Sequence, residues 1–218
     1  MLLYYITDRT QFAGDESARR RLLLAKIAEA AGLGVDFIQL REKDLPVREL
    51  ESLARAAVRV VREQQARAVG LAKRTRILIN SRVDVAIASG ADGVHLRSDD
   101  ISPGDVRKIW GRNAADGKLS QPWIGVSCHT LSEVAQARSA GANFAVFAPV
   151  FEKRETGTPP SGLEGLAKAC QEKIPVIALG GITVENASSC LERGAAGIAG
   201  IRLFQQADIR AVVAQLRP

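Results

Sequence analysis

The sequence predicts an α/β chain folded as a single-domain (β/α)8 barrel over residues 1–218. Three observations carry this expectation. Eight short apolar runs alternate with eight helical segments, and such alternation implies parallel strands joined by right-handed crossovers. Eight units in 218 residues match a compact ring of the TIM-barrel type, and 46% hydrophobic content is enough to fill its core. A pseudo-repeat also runs through the chain: GVDFIQL begins at Gly34, GADGVHL at Gly90, GANFAVF at Gly141 and GAAGIAG at Gly194, at spacings of 56, 51 and 53 residues. Each copy is a helix-ending glycine followed by an even-numbered strand, and a period of two βα units suits a closed ring. A doubly wound open sheet is the alternative.

Taken in order, Leu2 to Ile6 is a strand and Ser17 to Ala31 a helix. Phe37 to Leu40 is the second strand and leads into the polar segment 41–44. Pro46 to Glu63 reads as a long amphipathic helix, because Leu50, Leu53, Ala57 and Val61 recur on one face. Arg76 to Ile79 is the third strand, Val83 to Ser89 a short helix and Gly93 to Leu96 the fourth strand. Ser102 caps and Pro103 begins the next helix, since proline loses nothing in a first turn. After a polar loop from Asn113 to Gln121 come the strand Trp123 to Val126, the helix Leu131 to Ala140 and the strand Asn143 to Ala148. Phe151 to Ser161 holds two prolines and a glycine and reads as a long loop before the helix Gly162 to Lys173. Ile174 to Leu179, rich in β-branched residues, is the seventh strand and is buried on both faces. It ends in Gly180-Gly181, after which Thr183 and Glu185-Asn186 open a helical pattern, and Ala187 to Arg193 is the helix. Gly197 to Ile201 is the eighth strand and Ile209 to Leu216 the last helix.

Composition narrows the functional classes. No apolar run reaches the about 18 residues that a membrane span needs, and the opening MLLYYITD lacks a basic, cleavable leader pattern. Three cysteines, Cys128, Cys170 and Cys190, have no metal-binding spacing and fit reduced thiols in a cytoplasm. The net charge of +6 gathers at Arg19–Arg21 and around Arg67, Lys73, Arg74 and Arg76. No aromatic residues interleave with these cations, so they read as solvated helix faces and not as a nucleic-acid surface. The oligomeric state is left open, a homo-oligomer included.

In a barrel the chemistry lies at the carboxyl ends of the strands. Those ends carry Thr7-Asp8, then Gln39, Arg41, Glu42 and Lys43, then Asn80, Ser81 and Arg82. They continue with His95, Arg97, Asp99 and Asp100, then Ser127, Cys128, His129 and Thr130, then Lys153, Arg154 and Thr156. Gly180-Gly181 and Gly200 to Arg202 complete the rim. Gln39, Arg41 and Lys43 share one side of an extended segment and suit a phosphate or pyrophosphate; the competing reading is a surface turn paired to Glu42 or Asp44. Asp99-Asp100 suits a hard cation, or else an acidic helix start. His129 is placed as an acid/base or as a structural histidine, and its spacing from Ser127 makes no nucleophilic triad. Gly180-Gly181 before a helix start suits an anion, against a plain turn.

At these residues the chain resembles a known family. Tyr5-Ile6-Thr7-Asp8, Gln39-Leu40-Arg41-Glu42-Lys43, Ile79-Asn80-Ser81-Arg82-Val83-Asp84, Ala91-Asp92-Gly93-Val94-His95-Leu96, Gly125-Val126-Ser127-Cys128-His129-Thr130, Pro149-Val150-Phe151 and Gly180-Gly181-Ile182-Thr183 recur in order. They are similar to the thiamine-phosphate synthases and the related thiazole tautomerases, over essentially the whole chain. The resemblance implies joining of hydroxymethylpyrimidine diphosphate to thiazole phosphate with release of pyrophosphate, and thus small phosphorylated substrates. It assigns Gln39, Arg41, Lys43, Asn80, Asp100 and Ser127 to the diphosphate and Mg2+, with Asp100 as metal ligand. It assigns Gly180, Gly181, Ile201 and Arg202 to the thiazole phosphate, and Ser127, His129 and Lys153 to catalysis. Three departures stand out. Asn80-Ser81-Arg82 replaces Asn-Asp-Arg, so a hydroxyl stands in for one Mg2+ carboxylate. Arg97-Ser98 replaces Gly-Gln, and Lys153 stands in a loop that lacks the family's Pro-Thr-x-Thr-Lys. The alternatives are a thiazole tautomerase, in which His129 moves a proton without metal, and a non-catalytic barrel that binds a phosphorylated ligand.

Overall fold

Strand β1 (Leu2–Ile6) pairs in parallel with β2 (Phe37–Leu40) on one side and with β8 (Gly197–Gly200) on the other, and this double pairing closes the sheet. The computed structural model describes residues 1–67, 74–113, 121–151 and 159–217. Between β2 and β8 run β3 (Arg76–Asn80), β4 (Gly93–Leu96), β5 (Trp123–Cys128), β6 (Phe144–Phe147) and β7 (Val176–Ala178), each hydrogen-bonded to its sequence neighbour. Neighbour-to-neighbour order in a closed ring excludes the open doubly wound sheet.

The helices α1 (Glu16–Gly32), α2 (Val47–Arg67), α3 (Val83–Ser89), α4 (Pro103–Asn113), α5 (Leu131–Ser139), α6 (Gly162–Cys170) and α7 (Ala187–Glu192) connect successive strands. A four-residue helix α8 (Arg202–Gln205) and then α9 (Ile209–Leu216) follow β8. The four repeat glycines, 34, 90, 141 and 194, all have φ between 72° and 91°, the left-handed conformation that ends a helix at least cost to glycine.

Two apolar layers follow from the period of two along each strand. Tyr4, Ile6, Phe37, Leu78, Phe144, Val146, Ile177 and Ala199 point into the barrel and fill it. Phe37 and Phe144 meet at a 42° tilt with ring centroids 4.9 Å apart, and Tyr4 meets both rings edge-on, at 5.7 and 5.6 Å. Alternate residues such as Leu3, Tyr5, Ile38, Ile77 and Ile198 face outward and pack against the helices. Each fully buried large side chain contributes about 1.5–3 kcal/mol. The barrel is therefore a plugged cylinder, with no channel through its apolar layer among the described residues.

Some bounds differ from the sequence reading. α7 starts at Ala187, as the sequence indicates, and ends at Glu192; ahead of it Thr183 and Asn186 satisfy each other's backbone, with Thr183 N donating to Asn186 Oδ1 at 2.8 Å and Asn186 N to Thr183 Oγ1 at 3.4 Å. Such side-chain turns compete with helix formation. α6 stops at Cys170, and β5 runs on to Cys128, so Ser127 belongs to the strand. The 3-10 turn Arg9–Gln11 and helix α8 have no counterpart in the sequence reading. Residues 114–120 of one expected loop and 152–158 of the other, with Lys153, Arg154 and Thr156, lie outside the described residues, as does Lys73.

Candidate active site

Arg9 decides what the polar segment after β2 can do. It is buried, and its guanidinium binds Glu42 at 3.2 Å and Asp44 at 2.6 and 2.8 Å, with Glu16 at 2.8 Å. Glu42 is buried too and also accepts from Thr7 Oγ1 at 2.5 Å and Arg9 N at 2.9 Å. The acids that could have neutralised Arg41 and Lys43 are thus turned to Arg9. Arg41 and Lys43 line a cavity of about 600 Å3 at the carboxyl ends of the strands.

Inward-facing positions one pleat above the apolar plug supply the polar floor of this cavity. Gln39 Nε2 donates to Asn80 Oδ1 at 2.9 Å, Asn80 Nδ2 to Ser81 Oγ at 3.3 Å, and Ser81 Oγ to Asp100 Oδ2 at 2.6 Å. Ser81 has a φ of 57°, a left-handed conformation uncommon outside glycine, at the tip of β3. Asp100 Oδ2 also accepts from Arg97 N at 2.8 Å, and its Oδ1 accepts from the Arg97 guanidinium at 3.3 Å. Partial burial opposes ionisation of Asp100, but the Ser81 and Arg97 hydrogen bonds and the Arg97 charge bring its carboxyl below the usual range.

A second chain of bonds descends into the barrel. His95 Nε2 lies 2.8 Å from Ser127 Oγ, and His95 Nδ1 lies 3.0 Å from Tyr4 Oη. Burial, then the Arg41 charge, lower the His95 pKa to about 3, against a smaller opposing effect of Asp100. The ring is therefore neutral. Tyr4 is fully buried, and leaving its hydroxyl proton unpaired would cost about 1–3 kcal/mol. The phenol accordingly donates to Nδ1, which places the imidazole proton on Nε2, directed at Ser127 Oγ. Ser127, so supplied, is left to donate into the cavity.

His129 lies just past β5 and lines the same cavity. Its Nδ1 lies 2.7 Å from Ala148 O. A carbonyl only accepts, so Nδ1 carries a proton, and the tautomer that this bond selects has its lone pair on Nε2. Gly180, Gly181, Ile201 and Arg202 form the opposite wall. Gly180 has a φ of 99°, and a Cβ there would lie 2.7 Å from Pro149 Cα, so only glycine lets the β7 tip pass this close.

Of the residues singled out from sequence, Gln39, Arg41, Lys43, Asn80, Ser127, His129, Gly180, Gly181, Ile201 and Arg202 all line this one cavity. Asp100 stands behind its rim, reached through Ser81 and Arg97. Lys153 lies outside the described residues. Tyr4 was not singled out; the signal was a phenol at an inward position of β1, two residues before Ile6. Among the described residues no group of three or more His, Cys, Asp or Glu side chains is placed to hold a metal, and no helix is long and apolar enough to cross a membrane.

The family model described as thiamine monophosphate synthase matches residues 3–204. The chain belongs to the thiamine monophosphate synthase family. A thiamine-phosphate synthase of Syntrophomonas wolfei is 35% identical over 219 residues, covering 99% of this chain and 94% of that one. A second, from Roseiflexus sp. (strain RS-1), is 35% identical over 204 residues, 92% of this chain and 76% of its own. The solved thiamine phosphate pyrophosphorylase of Pyrococcus furiosus superposes with a TM-score of 0.77 at 32% identity, covering 99% of this chain and 93% of that one.

Proposed function

We propose that this chain is a thiamine-phosphate synthase, a transferase that joins hydroxymethylpyrimidine diphosphate to thiazole phosphate and releases pyrophosphate. The observation that carries the reading is one cavity with two unlike walls. Arg41, Lys43 and the Ser127 hydroxyl stand on one wall, and the glycine-bearing tips of β7 and β8 on the other. Two phosphorylated substrates fit such a division, with the reacting atoms between them.

In the reaction the bond from the pyrimidine methylene carbon to the diphosphate oxygen breaks, and its electron pair leaves with pyrophosphate. The thiazole nitrogen lone pair forms the new carbon–nitrogen bond. Negative charge develops on the leaving group, so Arg41, Lys43 and Lys153 are assigned to receive it, and Ser127 to donate a hydrogen bond to the same substrate. Gln39 and Asn80, locked to each other at 2.9 Å, complete the diphosphate wall. Gly180, Gly181, Ile201 and Arg202 are assigned to the thiazole phosphate through backbone N–H groups. Fixing both substrates in one cavity supplies the orientation term.

The family's Mg2+ finds a poor donor set here. Asp100 is the one carboxylate at the tips of β3 and β4 that faces Ser81, and both its oxygens already accept hydrogen bonds from this chain. A hydroxyl, that of Ser81, stands in place of the second carboxylate. The three free cysteines support a reducing, cytoplasmic setting. The tautomerase alternative draws on the His129 Nε2 lone pair alone, and the Syntrophomonas and Roseiflexus relatives carry the synthase name. A coupled assay for pyrophosphate with both substrates tests the reading. Steady release is expected; none with well-folded protein would end it.

A further inference from the structure

Three cations converge on one side of the barrel mouth. Arg41 and Lys43 follow β2, Arg97 follows β4, and all three line the cavity. Their repulsion registers on Lys43, whose ammonium is held below its usual pKa by Arg41 first, then by partial burial and by Arg97. Gathering like charges costs stability unless an anion is bound among them.

Beside them stands the carboxylate that the family pairs with a second one around a divalent cation. In this chain the second position is Ser81, whose hydroxyl donates to Asp100 Oδ2 at 2.6 Å. Arg97 N donates to the same oxygen at 2.8 Å, and the Arg97 guanidinium approaches Oδ1 at 3.3 Å. Asp99 holds the guanidinium from the exposed side, at 3.3 Å from Nε. The lone pairs a hard cation would use are therefore filled by donors of the chain itself. A magnesium ion held by Asp100 would have to displace the Ser81 and Arg97 donors and then stand beside the Arg97 guanidinium.

We propose that Arg97, held in place by Asp99 and Asp100, supplies the positive charge that a divalent cation supplies in relatives with two carboxylates here, so that this chain binds a diphosphate group without metal. The identity of that diphosphate, as part of a pyrimidine substrate, rests on the synthase reading; the metal-free binding does not. A guanidinium offers a planar fork of donors to phosphate oxygens and does not lose its proton, and Arg97 lines the cavity.

Calorimetry of the full chain with inorganic pyrophosphate, in EDTA and again in excess Mg2+, tests this. Comparable affinity is expected in both. Arg97→Gln is expected to weaken binding in EDTA by about tenfold or more, and Arg97→Lys to weaken it less, since it keeps the charge and loses the fork. The Arg97 side chain is 58% exposed, so these variants are expected to leave the core intact, which thermal melting checks. Binding of pyrophosphate by the wild type only with Mg2+ would overturn the proposal, as would full binding by Arg97→Gln in EDTA. The pyrophosphate-release assay answers the other question separately. No turnover beside intact metal-free binding retires the synthase reading and leaves Arg97 its role; turnover with binding that requires Mg2+ does the reverse.

Discussion

His95 on β4 and Ser127 on β5 are joined by a 2.8 Å hydrogen bond between Nε2 and Oγ. The register pairs His95 with Gly125, so Ser127 is the next inward residue of the adjoining strand. The neutral, buried imidazole thus orients a hydroxyl at the cavity floor. Ser127→Ala is expected to lower turnover by about 10²–10³-fold, the usual loss of one donor to developing charge, with little effect on thermal stability. Steady-state kinetics beside melting curves separate the two effects.

Burial of neutral His95 makes stability depend on acid. Its folded pKa of about 3 lies below the about 6.5 of an unfolded histidine, so the unfolded chain binds more protons between these values. Stability from this site is fully present above about pH 6.5 and falls by about 1.4 kcal/mol per pH unit below it, down to about pH 3. His95→Gln is expected to flatten this part of the stability profile. Denaturant melts of wild type and variant across that range check it; parallel profiles would contradict the assignment.

The direction of the bond chain is also measurable. With Tyr4 donating to Nδ1, the wild-type imidazole carries its proton on Nε2, and nitrogen NMR of labelled His95 distinguishes the two tautomers. Tyr4→Phe removes the donor and is expected to cost about 1–3 kcal/mol of stability through the unpaired Nδ1, together with part of the Ser127-dependent turnover. A wild-type ring protonated on Nδ1 would reverse the polarity inferred for Ser127.

Arg9 is a structural partner of the site. Arg9→Ala leaves the buried Glu42 without its cation, and breaking such a pair costs about 3–5 kcal/mol. Urea denaturation measures this loss. Because Glu42 and Asp44 then become free to pair with Arg41 and Lys43, pyrophosphate affinity is expected to fall as well. An unchanged affinity in the folded variant would show that the segment holds its shape without Arg9.

Gly180→Ala tests the second wall. The added methyl group meets Pro149 Cα at 2.7 Å on a backbone with φ of 99°, and the left-handed conformation alone costs a residue with Cβ about 1–2 kcal/mol. Affinity for thiazole phosphate is expected to fall by about tenfold or more, while pyrophosphate binding stays near wild type. Equal loss of both would place the two ligands on the same wall.

The β-strand spans and the rim of polar residues were legible because both depend on local pattern. Apolar runs of four to six residues, helix-ending glycines and the order of the elements are properties of short segments, and they place Gln39, Asn80, Ser127 and Gly180 at strand tips before any contact is known.

The amino-acid order by itself determined the eightfold alternation, the closed ring it implies and the family pattern carried by its strand ends. Only the tertiary structure decided the pairings: Ser127 with His95 across 32 residues and not with His129 two positions on, Glu42 and Asp44 with Arg9, and Asp100 with Ser81 and Arg97. Periodicity reports which face of a strand a side chain occupies, but partners are chosen by barrel closure and by the register between strands, which bring distant residues to the same level of the barrel.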